Sequence, residues 1–450
     1  MNEQKKITYD YYGDAYQIFA FIKNNEWPVL LCSHHEKFKD QRYDIIASDP
    51  IEKIYTHQDL TLVETSSGTE KFNLEPMDVL SARMKKYDSN FKDIPFSGGA
   101  IGYLSYDLGN KYESIENNKN EDIPLMAFGI YDWRILIDHK YKKTILIYDS
   151  ESDLINRLKD SLENESFSVY QNKPYEISSE CKSNISYSEY KKQFDKIQSY
   201  IENGDCYQIN FSQRFSLNYS GDTWDIFKKI SPTYSSPYSA YLHMPFLDIM
   251  CFSPERFLSY NGDKVETKPI KGTRPVSKDP KKNQQSIDEL LTSDKEKAEN
   301  LMIVDLLRND LGRNCEFGSV EVKKLFDVET FANVHHLVST IEGKISEKSN
   351  IYQLIKGCFP GGSITGAPKI RAMQIIDEIE PDNRSIYCGS IGYISFNGMA
   401  DLNIAIRTVI ASKDELFFWG GGGIVYDSEV ESEYKETFDK INPLLEILKN

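Results

Sequence analysis

The run Pro269-Ile270-Lys271-Gly272-Thr273 holds the side chain with the most distinctive chemistry in this 450-residue chain. A stretch rich in β-formers, Lys264-Val265-Glu266-Thr267, leads into the proline, and glycine follows the lysine at once. That order predicts a lysine on stiff backbone at a strand end, its amine facing a cavity. A lysine amine in water keeps its proton to about pH 10.4 and is a poor nucleophile at neutrality; desolvation or a neighbouring cation lowers that value and frees the lone pair. A lone Lys-Gly in a turn is ordinarily solvated, so the reading depends on the other groups that accompany it.

Two acidic pairs are the next candidates. Glu296 and Glu299 lie three apart on a predicted helix that runs on through Leu301, Met302, Ile303, Leu306 and Leu307. Glu299 shares a stripe with Met302, Ile303 and Leu306, which places its carboxylate near the buried face. An unpaired carboxylate there is costly, so a metal or an arginine is expected beside it. Glu433 and Glu436 repeat the spacing near the C-terminus. In a chain with 69 acidic residues such spacing is common on ordinary helix surface, yet carboxylates from two helices suit Mg²⁺, a hard ion that keeps waters and bridges to anionic ligands. Arg407, within Ile404-Ala405-Ile406-Arg407-Thr408, reads as an arginine inside an apolar strand and calls for a carboxylate from protein or ligand. His336, after His335, is either a structural hydrogen-bonder or a group that titrates near neutrality.

These groups need elements to hold them. Ser186 with Glu189 forms a capping box for a helix with Tyr190, Phe194, Ile197 and Ile201 on one face, ended by Gly204. A strand follows, predicted to turn Tyr207, Ile209 and Phe211 one way and Gln208, Asn210 and Ser212 the other; a polar face of that kind is usually solvated and less often lines a ligand cavity. Asn261-Gly262 marks a hairpin. A plain two-residue hairpin pairs Glu255 with Lys268 and leaves Lys271 on the opposite face, whereas a one-residue bulge near Pro269 brings Glu255 and Lys271 together; register alone leaves both open. Two glycine-rich turns complete the set. In Cys358 to Lys369, Thr365 is a candidate helix cap and Pro368 suits the first turn; the spacing is not that of a P-loop. Gly420 to Gly423 follows a strand, Glu415 to Trp419, and admits close approach of a ligand to the backbone.

The first ~150 residues read as short strands between polar turns, such as Trp27 to Leu31 and Thr144 to Tyr148. The polar run from Asn164 to Ser186 separates an N-terminal region, 1–165, from a second, 186–450. A net charge of −16 argues against nucleic acid, which needs clustered Lys and Arg. Seven scattered cysteines without C-x-x-C spacing fit reduced thiols in a cytoplasmic protein. No apolar run approaches the ~18 residues of a membrane span, and the start has no signal-peptide pattern.

Taken in order, Ser253-Pro254-Glu255-Arg256-Phe257, Asp305-Leu306-Leu307-Arg308-Asn309-Asp310, Gly366-Ala367-Pro368-Lys369 and Gly421-Gly422-Gly423-Ile424-Val425 resemble the motifs of the chorismate-utilising enzymes. That group holds anthranilate synthase component I, aminodeoxychorismate synthase component I, isochorismate synthase and salicylate synthase. The match is strong over roughly residues 185 to 450 and looser before. Lysine before Gly-Thr, where the other branches resemble one another in carrying alanine, is the mark of the aminodeoxychorismate synthase branch of para-aminobenzoate and folate synthesis. Tyr207-Gln208-Ile209-Asn210 and Ser363-Ile364-Thr365-Gly366 are also more similar to that branch; Tyr426 departs from it, where a small residue is usual.

The resemblance implies an α+β, anthranilate synthase component I-like fold, with antiparallel sheets packed face to face and helices outside. It implies that Lys271 attacks C2 of chorismate, with Glu255 as acid/base and His336 near the leaving group. Gly272, Thr273, Tyr387, Arg407, Gly421, Gly422 and Gly423 match substrate contacts. Glu299 and Glu436 match Mg²⁺ ligands, with Glu296 and Glu433 as water-mediated partners. Ammonia is expected from a separate glutamine amidotransferase subunit, component II. A tryptophan pocket, with Ser33, Pro237, Tyr238 and Ser239, serves feedback or holds bound tryptophan as structure; residues 34 to 43 depart from its usual pattern. The alternatives are anthranilate synthase component I, a non-catalytic tryptophan-binding or partner-docking protein, and a Schiff-base lyase using Lys271.

Overall fold

The computed structural model describes residues 4–449, apart from 39–40, 117–118, 120–121, 168–173 and 332–333. Two large antiparallel sheets organise them, one of 13 strands and one of 12 among the described residues. In the first, the strand Gln208–Ser220 lies against Glu415–Ile424, then Thr408–Ser412, Leu247–Ser253 and Tyr238–Met244, and on into N-terminal strands. In the second, Ile270–Pro275 lies beside Val334–Lys344, followed by Lys264–Lys268, Arg256–Tyr260, Ala400–Asn403 and Ser390–Ser395.

Alternation along the strands explains the layering. In Trp133–Asp138 every residue is buried, but Leu136 joins one apolar cluster while Ile135 and Ile137 join another. The first cluster takes side chains from both sheets, among them Ile54, Phe128, Leu258, Ile341 and Ile410. The second packs the first sheet against outer helices through Phe19, Trp224, Phe227 and Leu444. Sheets buried on both faces need this double apolar supply. This is the α+β, face-to-face arrangement expected from the sequence.

The polar run after residue 165 divides the chain but not the sheets; its residues 168–173 lie outside those described. Val29–Cys32 pairs with Tyr238–Met244, and Gly99–Leu104 pairs with Ser390–Ser395, so both sheets cross that junction. The seven cysteines are all free thiols. No helix among the described residues is long and apolar enough to cross a membrane.

Several local expectations hold. The capping box of Ser186 and Glu189 opens the helix Tyr187–Glu202, and Gly204 follows it at φ +79°. Others are corrected. Tyr207 precedes its strand and is exposed, whereas Gln208 on the polar face is fully buried; the polar face is therefore an interior one. Gly420 to Gly423 do not form a turn but continue the strand Glu415–Ile424, paired with Ser212, Phe211 and their neighbours. Arg407 lies not inside a strand but just before Thr408–Ser412, at φ +50°. A left-handed arginine is a strained choice that surrounding structure must impose, and such residues cluster at functional sites.

Candidate active site

Lys271 sits in the strand Ile270–Pro275, opposite Leu337, after Pro269 has interrupted the preceding strand. The ladder slips by one residue between Lys271 and Thr273, because Gly272 takes φ +71°. A Cβ at Gly272 would lie 2.9 Å from Glu296 Oε2, so glycine here serves both the bulge and the close approach of the carboxylate. The lysine side chain runs inward, and its Nζ donates to the carbonyl of Ser363 at 3.4 Å. Burial lowers its pKa from the usual lysine range, while Glu299 and Glu255 pull it back up. Among the described residues no carboxylate closes on it as an ion pair, so the amine is desolvated without being neutralised by contact.

Glu255 reaches the same recess from the other side of the hairpin. The turn is longer than the two-residue form: Asn261 Oδ1 accepts from the backbone of Asp263 and Lys264, and Tyr260 pairs with Val265. A one-residue slip then falls between Arg256 and Ser259, leaving Arg256, not Glu255, opposite Lys268. The bulge thus lies in the first arm of the hairpin rather than at Pro269. Glu255 is 5% exposed, and its Oε1 accepts from Ser363 Oγ at 2.5 Å. Burial raises its pKa to about 7, against the opposing pull of the Ser363 hydroxyl and Lys271. It is a carboxyl that holds a proton near neutrality.

The sequence offers Ser363 only within the Ser363-Ile364-Thr365-Gly366 run and not as a site residue, yet it touches both groups. It lies in a short 3₁₀ turn, Gly362–Ile364. Thr365, expected as a helix cap, instead donates from its hydroxyl to the carbonyls of Gly361 and Gly362, and the helix Lys369–Ile379 has no side-chain cap. The turn is clamped from below by Lys369, whose buried Nζ donates to Asp310 at 2.7 Å and to the carbonyls of Cys358 and Pro360 at 2.7 and 2.9 Å. Arg384 donates to the Ile364 carbonyl at 2.9 Å.

Around this pair lie the remaining candidates. His336 Nδ1 is 3.0 Å from Thr273 Oγ1, and burial, with Arg407 nearby, depresses its pKa to about 4; it is a neutral imidazole at physiological pH. Burial also lowers the pKa of Arg407, and no carboxylate among the described residues pairs with it. Arg407 nonetheless stays open to solvent, and a guanidinium with no carboxylate partner among the described residues is suited to an anionic ligand. Tyr387 is buried and stacked on Trp419 at 5.6 Å between ring centroids.

The four glutamates flank the two glycine approaches. Glu296 and Glu299 are half-buried on the helix Asp294–Gly312. Glu433 is buried on Val430–Lys449 and accepts from Ser428 at 2.7 Å, while Glu436 is more open. A Cβ at Gly422 would fall 3.0 Å from Glu433 Oε2 and 3.3 Å from Glu436 Oε1. Burial raises the pKa of Glu299, opposed by Lys271 and reinforced by Glu296 and Glu436. Two cations partly balance the set: Lys440 lies 2.8 Å from Glu436, and Arg274 lies 3.5 Å from Glu296. Among the described residues no three acidic, His or Cys side chains are gathered tightly enough to hold a metal by themselves. The donors are nonetheless all carboxylate oxygens that repel one another, the chemistry a hard cation such as Mg²⁺ accepts while water and ligand fill its other positions. Lys440, which also donates to the Gly421 carbonyl, was missed in the sequence; its signal was the spacing of four from Glu436.

A separate cavity of about 240 Å³ gathers Ser33, Pro237, Tyr238 and Ser239, the residues expected of a tryptophan pocket, with Arg42, Tyr43 and Asn403. Ser33 Oγ is engaged by Asp44 at 2.7 Å, and the Arg256 guanidinium lies over the Tyr238 ring.

The family model of chorismate binding enzymes matches residues 32–446. Aminodeoxychorismate synthase component 1 of Escherichia coli (strain K12) is 42% identical over 436 residues, covering 96% of this chain and 95% of that protein. Anthranilate synthase component 1 of Acetivibrio thermocellus is 32% identical over 470 residues, covering 98% and 95%. Among solved structures, anthranilate synthase component I from Streptococcus pneumoniae TIGR4 superposes with a TM-score of 0.80 at 32% identity, covering 90% of this chain and 92% of that one.

Proposed function

The chain belongs to the family of chorismate binding enzymes, and on that premise we propose that it is the synthase component that aminates chorismate at C4, giving 4-amino-4-deoxychorismate for para-aminobenzoate and folate synthesis in the cytoplasm. The observation that carries this reading is the desolvated Lys271 amine in one recess with Glu255, a carboxyl that keeps its proton near neutrality. The resemblance of the Lys-Gly-Thr run to the aminodeoxychorismate branch supports the choice among family reactions.

In the proposed sequence the neutral Lys271 amine forms a bond to C2 of the ring. The ring double bonds shift, the C4–oxygen bond breaks, and the hydroxyl departs as water with the proton that Glu255 held. Ammonia then bonds to C4, the electrons shift back and the C2–nitrogen bond to Lys271 breaks. The proton lost by the incoming nitrogen restores Glu255. One chorismate and one ammonia thus yield one amino product and one water. Two displacements return the C4 configuration to its starting sense. Arg407 can fork onto a substrate carboxylate, the backbone of Gly421 to Gly423 permits close approach, and neutral His336 can accept or donate beside the departing oxygen. Glu299 and Glu436, with Glu296 and Glu433 through water, would hold Mg²⁺, which supplies offset of the carboxylate charge when bound. Ammonia from glutamine requires a separate amidotransferase subunit; free ammonium at high concentration serves in its place.

The test supplies chorismate, Mg²⁺ and ammonium. The amino-deoxy product is expected; anthranilate, seen by its fluorescence, as the main product would reject the branch in favour of anthranilate synthase component I. No turnover of chorismate by any route would favour a non-catalytic protein. Because Glu255 must carry its proton, the acid-dependent step is expected to weaken as pH rises through about 7, read as the falling limb of kcat/KM. Glu299→Gln removes one anionic ligand without changing size, and the Mg²⁺ concentration for half-maximal activity is expected to rise roughly tenfold or more; an unchanged Mg²⁺ dependence would remove Glu299 from the metal site.

A further inference from the structure

Resting on the covalent amination just described, we propose that Ser363 is a positioning residue: its hydroxyl holds one oxygen of Glu255 and its carbonyl holds the Lys271 amine, so the acid and the nucleophile are fixed to one residue without pairing with each other. The contacts are 2.5 Å from Ser363 Oγ to Glu255 Oε1 and 3.4 Å from Lys271 Nζ to the Ser363 carbonyl. Ser363 is itself 6% exposed, and water does not readily substitute for it.

The separation has a chemical reason. A carboxylate in direct contact with a buried lysine favours the ammonium form, which has no lone pair. Oε1 is held by the serine hydroxyl, and the Ile270 backbone N–H also donates to the carboxyl, so the group is fixed in place while its proton passes to the leaving oxygen. The carbonyl of Ser363 accepts an N–H from the amine and turns its lone pair away from the peptide. For this to work the turn must be rigid, and the surrounding bonds make it so. Lys369 ties the carbonyls of Cys358 and Pro360 to Asp310, Thr365 bonds back to Gly361 and Gly362, and Arg384 holds Ile364.

The serine hydroxyl also favours the ionised form of Glu255, against burial. The titratable groups that face this carboxyl are Lys271, from the strand Ile270–Pro275, and Cys388, from the turn before Ser390–Ser395; neither is changed by substituting Ser363. Loss of the hydroxyl therefore raises the apparent pKa of Glu255.

The experiment compares the wild type, Ser363→Ala and Ser363→Thr, each first checked for an unchanged melting temperature. With chorismate, Mg²⁺ and ammonium, Ser363→Ala is expected to lose roughly 10- to 100-fold in kcat with little change in KM, as for loss of a hydrogen bond to a charged group. The apparent pKa near 7 in its kcat/KM profile should move up by roughly one unit, and Ser363→Thr should restore both. An infrared titration of the protonated carboxyl, assigned by its loss in Glu255→Gln, reads the same shift without turnover. If the wild type fails to aminate chorismate, the function is wrong, but the infrared shift still decides the contact. A wild-type pH profile and carboxyl titration in Ser363→Ala would overturn the role of Ser363, as would a deficit in that variant that Ser363→Thr does not relieve.

Discussion

Lys271→Ala is expected to bind chorismate and fail to aminate it, with a fall in the rate of 4-amino-4-deoxychorismate formation on the order of 10⁴-fold or more, the scale seen when a covalent nucleophile is deleted. The variant keeps Glu255, Arg407 and the four glutamates, so binding by charge survives while the first displacement has no attacking atom. Lys271→Arg separates the two roles of the residue. It retains the positive charge that Glu299 and Glu255 feel, but a guanidinium stays protonated and cannot attack. Both variants should therefore be inactive, and only the wild type, mixed with chorismate without ammonia, should gain the mass of one chorismate less one water in intact mass spectrometry. Amination at wild-type rate by Lys271→Ala would rule out covalent catalysis. A product aminated at another carbon would mean that the lysine steers the reaction rather than forming the adduct. Borohydride distinguishes the lyase alternative: a Schiff base is trapped by reduction, whereas the adduct proposed here is already an amine.

Lys369→Ala is expected to carry the largest cost in stability, roughly 3 to 5 kcal/mol, as for breaking a buried ion pair by removing one partner. Lys369 and Asp310 are 4% and 1% exposed at their side chains, with Nζ 2.7 Å from Oδ2. Deleting the amine strands a buried carboxylate and also leaves the carbonyls of Cys358 and Pro360 without their donor. Burial already raises the pKa of Asp310 above its reference 3.8, and Lys369, ahead of Arg313, is the main pull downward. Without the lysine the folded-state value rises further. The loss is then smallest at low pH, where the carboxyl is protonated in both states, and grows as pH climbs through the raised value. Urea unfolding across pH measures both the size and the sign. The double variant Lys369→Met with Asp310→Leu should recover much of the deficit by removing both charges together. If Lys369→Ala melted like the wild type, the lysine would not be the clamp under the Ser363 turn.

The chemistry-bearing residues were legible in the sequence because their signals are local. Lys271 followed by Gly272, the spacing of three in Glu296/Glu299 and Glu433/Glu436, and the Ser186–Glu189 box each depend on neighbours within one turn of helix or one strand end. Local patterns misled where the tertiary structure overrode them. The apolar run around Arg407 has strand composition, yet the arginine is held at φ +50° before its strand. Gly420 to Gly423 have turn composition, yet cross-strand pairing with Gln208–Ser220 and the packing of Val430–Lys449 keep them extended. Gln208 is polar, and a polar strand face is usually solvated, but the facing layers bury it completely.

By itself the chain determined which side chains had unusual chemistry and which family motifs they belonged to, since those properties follow from residue type and short spacing. The meeting of Glu255 with Lys271 was decided in three dimensions. Ser363 joins them from 108 and 92 residues away, and only the slip in the hairpin, the bulge at Gly272 and the buried Lys369–Asp310 clamp bring the three segments to one point. Contacts over such separations carry no periodicity along the chain. They are set by how two sheets close on a shared core, and that closure withdraws water from the lysine and the glutamate alike, moving the two pKa values in opposite directions.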